Sequence, residues 1–254
     1  MNTFTICQKE LQSYFRSPIA YIVMAFFALI VGYFFYISVV FFVQRSMESQ
    51  MMGQSFPMDI NEYVIRPIFS NVSVVGLFLI PMIGMRLFAE EKRSGTIELL
   101  MTSPLRDWEI ILGKWLAALG LYASMLGLSF LSMLFLFKYG QPDWRPLLVG
   151  YLGLLLQGGC LLAICTFISS CTRNQIVAGV VGFVVSLLLW VLDWMSSFDT
   201  SPVAKVVGYL SVLAHFESFS KGVIDSKDII FYVTFIILGL FLTSRSLESI
   251  RWRA

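Results

Sequence analysis

Long uncharged runs make this chain an all-α polytopic membrane protein. Six transmembrane helices are expected, with an amphipathic N-terminal helix and a short helix in the loop after the second span. Three features carry the expectation. Hydrophobic residues fill 57% of the 254 positions and charged residues only 13%, against about 25% charged in soluble proteins. Mean hydropathy is +0.79. The apolar runs are also continuous, without the regular return of polar residues that a soluble amphipathic helix or strand needs.

The elements follow in chain order. Phe4, Cys7, Leu11, Tyr14 and Phe15 recur at helical spacing, while Gln8, Lys9, Gln12, Ser13 and Arg16 take other faces. Residues 1–17 therefore read as a helix lying in the headgroup plane. Only Arg16-Ser17-Pro18 separates it from the first apolar run. That run exceeds the about 7–15 residues of a signal h-region, so no cleavable leader is expected. A crossing takes about 20 helical residues, which places spans over Ile19–Val43, Ile68–Leu87, Ile110–Phe137, Leu147–Ser169, Ile176–Leu192 and Ile229–Thr243. Pro81 inside the second is tolerable where neighbours satisfy the freed carbonyl. Residues 193–228 form a long loop whose Val203, Val206, Val207, Tyr209, Leu210, Val212 and Leu213 suggest short interfacial or re-entrant helices. The whole chain, 1–254, reads as one membrane domain.

Basic residues set the orientation. With both termini inside, the cytoplasmic set is Lys9, Arg16, Arg86, Lys92, Arg93, Arg106, Lys114, Arg173, Arg245, Arg251 and Arg253. The outer set is Arg45, Arg66, Lys138, Arg145, Lys205, Lys221 and Lys227. Eleven against seven favours termini inside by the positive-inside rule.

Several function classes are disfavoured. No ionisable residue falls near the centre of a span, where it would cost about 2.5–3.5 kcal/mol and mark an ion or proton path; this argues against a proton-coupled carrier. A membrane-embedded enzyme has little support, because no nucleophile sits with a base. Gln157, Ser124, Ser186, Gly158, Gly159, Gly179 and Gly182 read as close helix packing. Cys7, Cys160, Cys165 and Cys171 contain no Cys-x-x-Cys pair and read as small apolar residues rather than a metal site or disulfide framework. His215, the sole histidine, points to a structural or surface role in the outer loop. No Gly-x-x-x-x-Gly-Lys-Ser/Thr run occurs, and Gly113-Lys114-Trp115 is a chance fragment of it, so the chain has no P-loop for a nucleotide. A net charge of +2, flanking spans rather than forming a patch, gives no nucleic-acid surface.

The densest charge lies in Glu90–Pro104, Glu-Glu-Lys-Arg-Ser-Gly-Thr-Ile-Glu-Leu-Leu-Met-Thr-Ser-Pro, between the second and third spans. Ile97, Leu99, Leu100 and Met101 give it an apolar edge that must dock somewhere. Gly95 permits a sharp turn, and Glu98 in the following first turn suits a positive helix end. Ser103 as N-cap and Pro104 as N1 would start the third helix, with Asp107 and Glu109 reinforcing it.

In Glu91, Gly95, Thr96, Glu98, Leu100, Pro104, Asp107 and Glu109, this stretch resembles the first cytoplasmic loop of ABC-2 type transporter permeases. Lys9-Glu10-Leu11 with Arg16-Ser17-Pro18 is similar to their N-terminal interfacial helix. Leu213-Ala214-His215-Phe216-Glu217-Ser218-Phe219, Lys221-Gly222-Val223-Ile224-Asp225, Asp228 and the closing Arg251-Trp252-Arg253 resemble the members called gliding-motility-associated.

The resemblance implies a bacterial inner-membrane permease subunit that is not itself an enzyme. It would pair with a second permease chain, as a homo- or heterodimer, and bind two copies of a cytoplasmic ABC ATPase. The chain would hold no cofactor; ATP and Mg would belong to that ATPase. Residues 89–105 become a coupling loop, with Glu91, Gly95, Thr96, Glu98 and Leu100 as the ATPase-contacting residues, and ATP hydrolysis would drive export. The alternative is a non-transporting membrane scaffold that passes ATPase work to a periplasmic auxiliary protein through residues 193–228.

Overall fold

The computed structural model describes residues 2–51, 59–98, 105–140, 142–198 and 202–251. Helix α1 spans Asn2–Arg16 and α2 Pro18–Met51; a π-helical turn, Asn61–Ile65, leads into α3, Arg66–Gly84. Helix α4 is the short Ala89–Ser94; α5 spans Asp107–Tyr139, α6 Trp144–Cys171 and α7 Gln175–Phe198. Two short helices, α8 (Pro202–Tyr209) and α9 (Val212–Ser220), precede α10, Ser226–Arg251. No strand occurs among the described residues. Among the described residues, six helical runs are long and apolar enough to cross a membrane: Pro18–Met51, Asn61–Ser94, Asp107–Lys138, Trp144–Cys171, Gln175–Leu192 and Ser226–Ser249. The chain is an all-α multi-pass membrane protein.

Several boundaries move from those expected. Helix α2 runs eight residues past Val43, because Gln44, Arg45 and Ser46 keep helical geometry after the apolar run ends. At 34 residues it is about 51 Å long, well beyond a hydrocarbon core of about 30 Å. Within the second run the regular helix ends at Gly84 rather than Leu87, and Met85–Phe88 form a turn. Ser103 and Pro104 lie outside the described residues. The third helix begins after them, at Asp107, so neither is its N-cap or N1. Glu109 supplies the capping instead, its Oε2 accepting from Arg106 N at 3.1 Å.

Helices α3 and α6 form the hub. About two-thirds of their apolar stretches are buried (67% and 61%), against 17% in α2 and α7. Helix α2 meets the hub through one stripe, Ala20, Met24, Phe27 and Val31. Its other faces expose Ile22, Phe26, Leu29 and Tyr33, and α7 exposes Ile176, Val180, Val184 and Leu188 at i, i+4 spacing. Such faces suit lipid or another apolar partner.

Glycines on α6 let aromatic rings lie directly on its backbone. A Cβ on Gly150 would collide with the Phe69 ring, on Gly153 with Phe219, and on Gly158 with Tyr122. Gln157 binds Ser73 across the hub, the serine Oγ lying 2.9 Å from its Oε1 and 2.7 Å from its Nε2. Gln157 and Gly158 are thus packing elements, as expected, and Gly150, Gly153 and Ser73 join them.

At the end where α10 begins, His215 is buried rather than on the surface. Its Nδ1 lies 2.7 Å from Asp228 Oδ1, and its Nε2 lies 2.9 Å from the Tyr209 carbonyl. Its ring stacks on Phe231 with centroids 3.9 Å apart. The Tyr232 hydroxyl donates to the Val212 carbonyl at 2.8 Å, so α9 is pinned to α10. This is the structural role for histidine, carried out in the interior.

Candidate functional site at the break between the second and third spans

The turn at Met85–Phe88 would leave the first amides of α4 without partners. Ser169, near the end of α6, supplies them. Its Oγ accepts from Phe88 N at 3.1 Å and Ala89 N at 3.0 Å, and donates to the Met85 carbonyl at 3.0 Å. Lys92 donates to the neighbouring Ser170 carbonyl. Helix α4 is thus held against the end of α6 by backbone and side-chain bonds together.

Its own far end is closed by Gly95, whose φ of 75° is the left-handed conformation that stops a helix. Ser94 Oγ donates back toward the Glu90 carbonyl at 3.0 Å and lies 2.8 Å from Thr96 Oγ1. A new helical turn starts at Thr96. Ile97 is buried against the body of the protein, which accounts for the start of the apolar edge. Leu99 and Met101 lie outside the described residues.

Of the residues expected to meet a partner, Gly95, Thr96 and Glu98 are exposed. Leu100 lies outside the described residues. Glu91 points the other way: its Oε1 lies 2.7 Å from Lys114 Nζ, with only 21% of the side chain exposed.

Lys114 is the residue that sequence reasoning missed. It sits about two turns into α5 and is the one lysine or arginine among the buried residues described, its side chain 3% exposed. Two carboxylates reach it, Glu91 from α4 and Glu10 from α1 at 3.0 Å. Its ammonium also lies 5.6 Å from the centroid of the Phe88 ring. The adjacent Gly113 explains how α1 comes so close, since a Cβ there would stand 2.8 Å from Ile6. One turn pair later, Leu11 reaches Gly120. Asn2 adds a bond from its Nδ2 to Glu109 Oε2 at 3.2 Å. The available signal was a lysine inside an apolar helix, which needs a partner wherever water is scarce.

At the C-terminal end of α1, Tyr14 is partly buried against the core. Burial and the Glu10 carboxylate push its hydroxyl upward from the ordinary tyrosine range. It stays neutral, and its carbonyl accepts from Ser17 N at 3.1 Å at the elbow into α2.

Chemically, this arrangement does not activate a bond. An ammonium held between carboxylates is neither a nucleophile nor a free base, and no group of three metal-ligating side chains gathers among the described residues. It fixes three elements to one another. The opposite end carries a polar recess of about 360 Å³ lined in part by Asp59, Glu62, Arg66, Asp143 and Lys221.

Comparison with known proteins gives these features a setting. The profile of the family described as ABC-2 family transporter protein matches residues 4–198. Two curated relatives, each named probable multidrug ABC transporter permease YbhR, come from Escherichia coli strain K12 and strain O157:H7. Each is 23% identical over 169 residues, covering 65% of this chain and 44% of the relative. The chain therefore spans less than half the length of the curated relatives it matches. The family profile takes in the N-terminal helix, the charged break and five of the six apolar helical runs, and so the chain belongs to the ABC-2 family of transporter proteins.

Proposed function

We propose that this chain is the permease subunit of an ATP-binding cassette transporter in the bacterial inner membrane, coupled to hydrolysis by a separate ATPase. The observation that carries the reading is the short helical segment at the break. It is anchored from behind by Ser169, Ser170 and Lys114, and Gly95, Thr96 and Glu98 beyond it are exposed. A segment rigid on one side and open on the other can receive a push and pass it on.

In this reading both termini and the break face the cytoplasm. Gly95, Thr96, Glu98 and Leu100 form the contact with the ATPase, and Glu91 supports that surface from within. The functional unit is two permease chains with two ATPase copies, and ATP and Mg sit in the ATPase. Export is the proposed direction. The finer likeness to gliding-motility-associated permeases rests largely on the last third of the chain, beyond the matched residues 4–198.

One observation favours a scaffold that works on an envelope partner instead. Val206, Tyr209, Leu210 and Val223, in or beside the short outer helices, are exposed apolar residues, a surface that a protein partner or lipid headgroups would cover.

Purification of the chain with its associated ATPase, followed by reconstitution in vesicles, tests the proposal. The chain alone hydrolyses no ATP, and its addition changes the ATPase rate of the partner. Glu98→Arg leaves insertion intact but weakens the association. Robust hydrolysis by the isolated chain, or a Glu98→Arg variant that binds and modulates the ATPase as the wild type does, overturns it.

A further inference from the structure

We propose that Lys114 is a positioning residue that makes the N-terminal helix α1 move as one body with the coupling segment, so that a push on the segment reaches the first span as well as the second. The inference rests on the coupling function proposed above.

The geometry leads there in three steps. Lys114 holds Glu91, which belongs to the coupling segment, at 2.7 Å and Glu10, which belongs to α1, at 3.0 Å. With 3% of its side chain exposed, the ammonium cannot exchange either carboxylate for bulk water without a large desolvation imbalance. Displacing α4 alone would pull Glu91 from the ammonium and strand a carboxylate whose Oε2 is already unpartnered among the described residues, so the low-energy motion carries α5 along, with α1 held to it by Glu10.

Helix α1 is also seated for such transfer. Ile6 rests on Gly113 and Leu11 on Gly120, so α1 lies flush along α5. Its C-terminal end continues through a tight elbow, where Ser17 N donates to the Tyr14 carbonyl at 3.1 Å and Ala20 N to the Ser17 carbonyl at 3.3 Å. The first span follows without slack. The connection on the other side of α4 is of a different kind, through Ser169 and Ser170 to the hub helix α6. Motion of α4 can thus pivot on α6 while pulling the start of α5 through Glu91, and α1 with it through Glu10.

The cluster is unbalanced in a way that makes the proposal testable. Two carboxylates share one ammonium, and Glu91 Oε2 is buried without a hydrogen-bond partner among the described residues. Glu10→Gln therefore leaves a matched Lys114–Glu91 pair and a folded protein, yet removes the charge that ties in α1.

Spin labels at Gln12→Cys and Arg93→Cys, with a third position at Lys221→Cys, read the motion in the reconstituted complex with its ATPase, in a background without the four native cysteines. Through the nucleotide cycle the distance from residue 12 to residue 93 stays constant while the distances from both to residue 221 change together. In Glu10→Gln the 12-to-93 distance changes with nucleotide, and stimulation of the ATPase falls several-fold although the subunits still copurify. Lys114→Arg retains the wild-type pattern. A 12-to-93 distance that changes in the wild type overturns the inference, as does Glu10→Gln behaving like the wild type in both readouts. If the wild-type chain neither binds nor alters an ATPase, the permease function fails first and this inference falls with it.

Discussion

Each end of the helical bundle buries an ionic cluster, and the two are built on opposite plans. At the proposed cytoplasmic end, one ammonium on a long side chain gathers carboxylates from two other helices, one of them 104 residues away. At the proposed outer end, His215 meets Asp228 only 13 residues along the chain. With all groups ionised the first cluster carries one net negative charge. The second pairs one imidazole with one carboxylate. The Tyr209 carbonyl can only accept, so the imidazole donates to it through Nε2, while Nδ1 faces Asp228 Oδ1. Stacking on Phe231 fixes the imidazole, whereas the Lys114 cluster is assembled from lysine and glutamate stems with several rotatable bonds. One cluster is a rigid joint within a local hairpin. The other ties together elements that the chain itself leaves separate.

The broadest way to break this contrast is to ask which end is which. In a background without the native cysteines, Lys221→Cys labels from outside intact cells with an impermeant thiol reagent and Ser94→Cys does not. The difference is all or none, and the reverse pattern would exchange the two ends. The next effect is energetic. Lys114→Met leaves Glu10 and Glu91 facing each other in a crevice and costs about 3 kcal/mol or more, read as a lowered midpoint in thermal unfolding of the detergent-solubilised protein. Glu91→Gln, which removes the excess charge, stays within about 1 kcal/mol of the wild type on the scale of a single hydrogen bond. Equal losses from these two variants would show that charge balance is not what holds this end together.

At the His215 end a neutral isostere is better tolerated. In Asp228→Asn the amide can donate to Nδ1 of a neutral His215, so the loss is about 1 kcal/mol in the same unfolding assay. A loss as large as that of Lys114→Met would place an indispensable ion pair at both ends. The smallest effect belongs to Glu217, held below the ordinary carboxylate range mainly by its hydrogen bond to Lys221, with Arg66 also nearby. A carboxyl lowered in this way stabilises the fold at pH values above its ordinary one. That contribution disappears as pH falls through the lowered value. Because these side chains are substantially exposed, it amounts to under about 1 kcal/mol. The gap in melting temperature between wild type and Glu217→Gln should therefore be present at pH 6 and close below about pH 4.

The spans were legible because apolar runs of membrane length have few other uses. Their ends were less so. Helix α2 continues through Gln44 and Arg45, where hydropathy has already changed but helical geometry has not. The break after Gly84 depends on Ser169, a residue 80 or more positions later that reads on its own as an ordinary hydroxyl in a helix. Gly95 was legible because a left-handed turn has a strong local preference for glycine. Lys114 was not, because a lysine near a helix start looks the same whether it faces headgroups or two buried carboxylates. Pairing across long sequence separation is a property of the assembled helices, and the local pattern carries little trace of it.

The ring-on-glycine contacts of α6 have a mechanical meaning. Phe69 from α3, Tyr122 from α5 and Phe219 from α9 each sit in a notch cut into the same helix. They approach from different neighbours, like keys set into a shaft from several sides. Turning α6 about its axis would have to lift every ring from its seat at once. In the proposed transport cycle that helix is the fixed part, and the change of shape falls to more lightly seated helices such as α2 and α7.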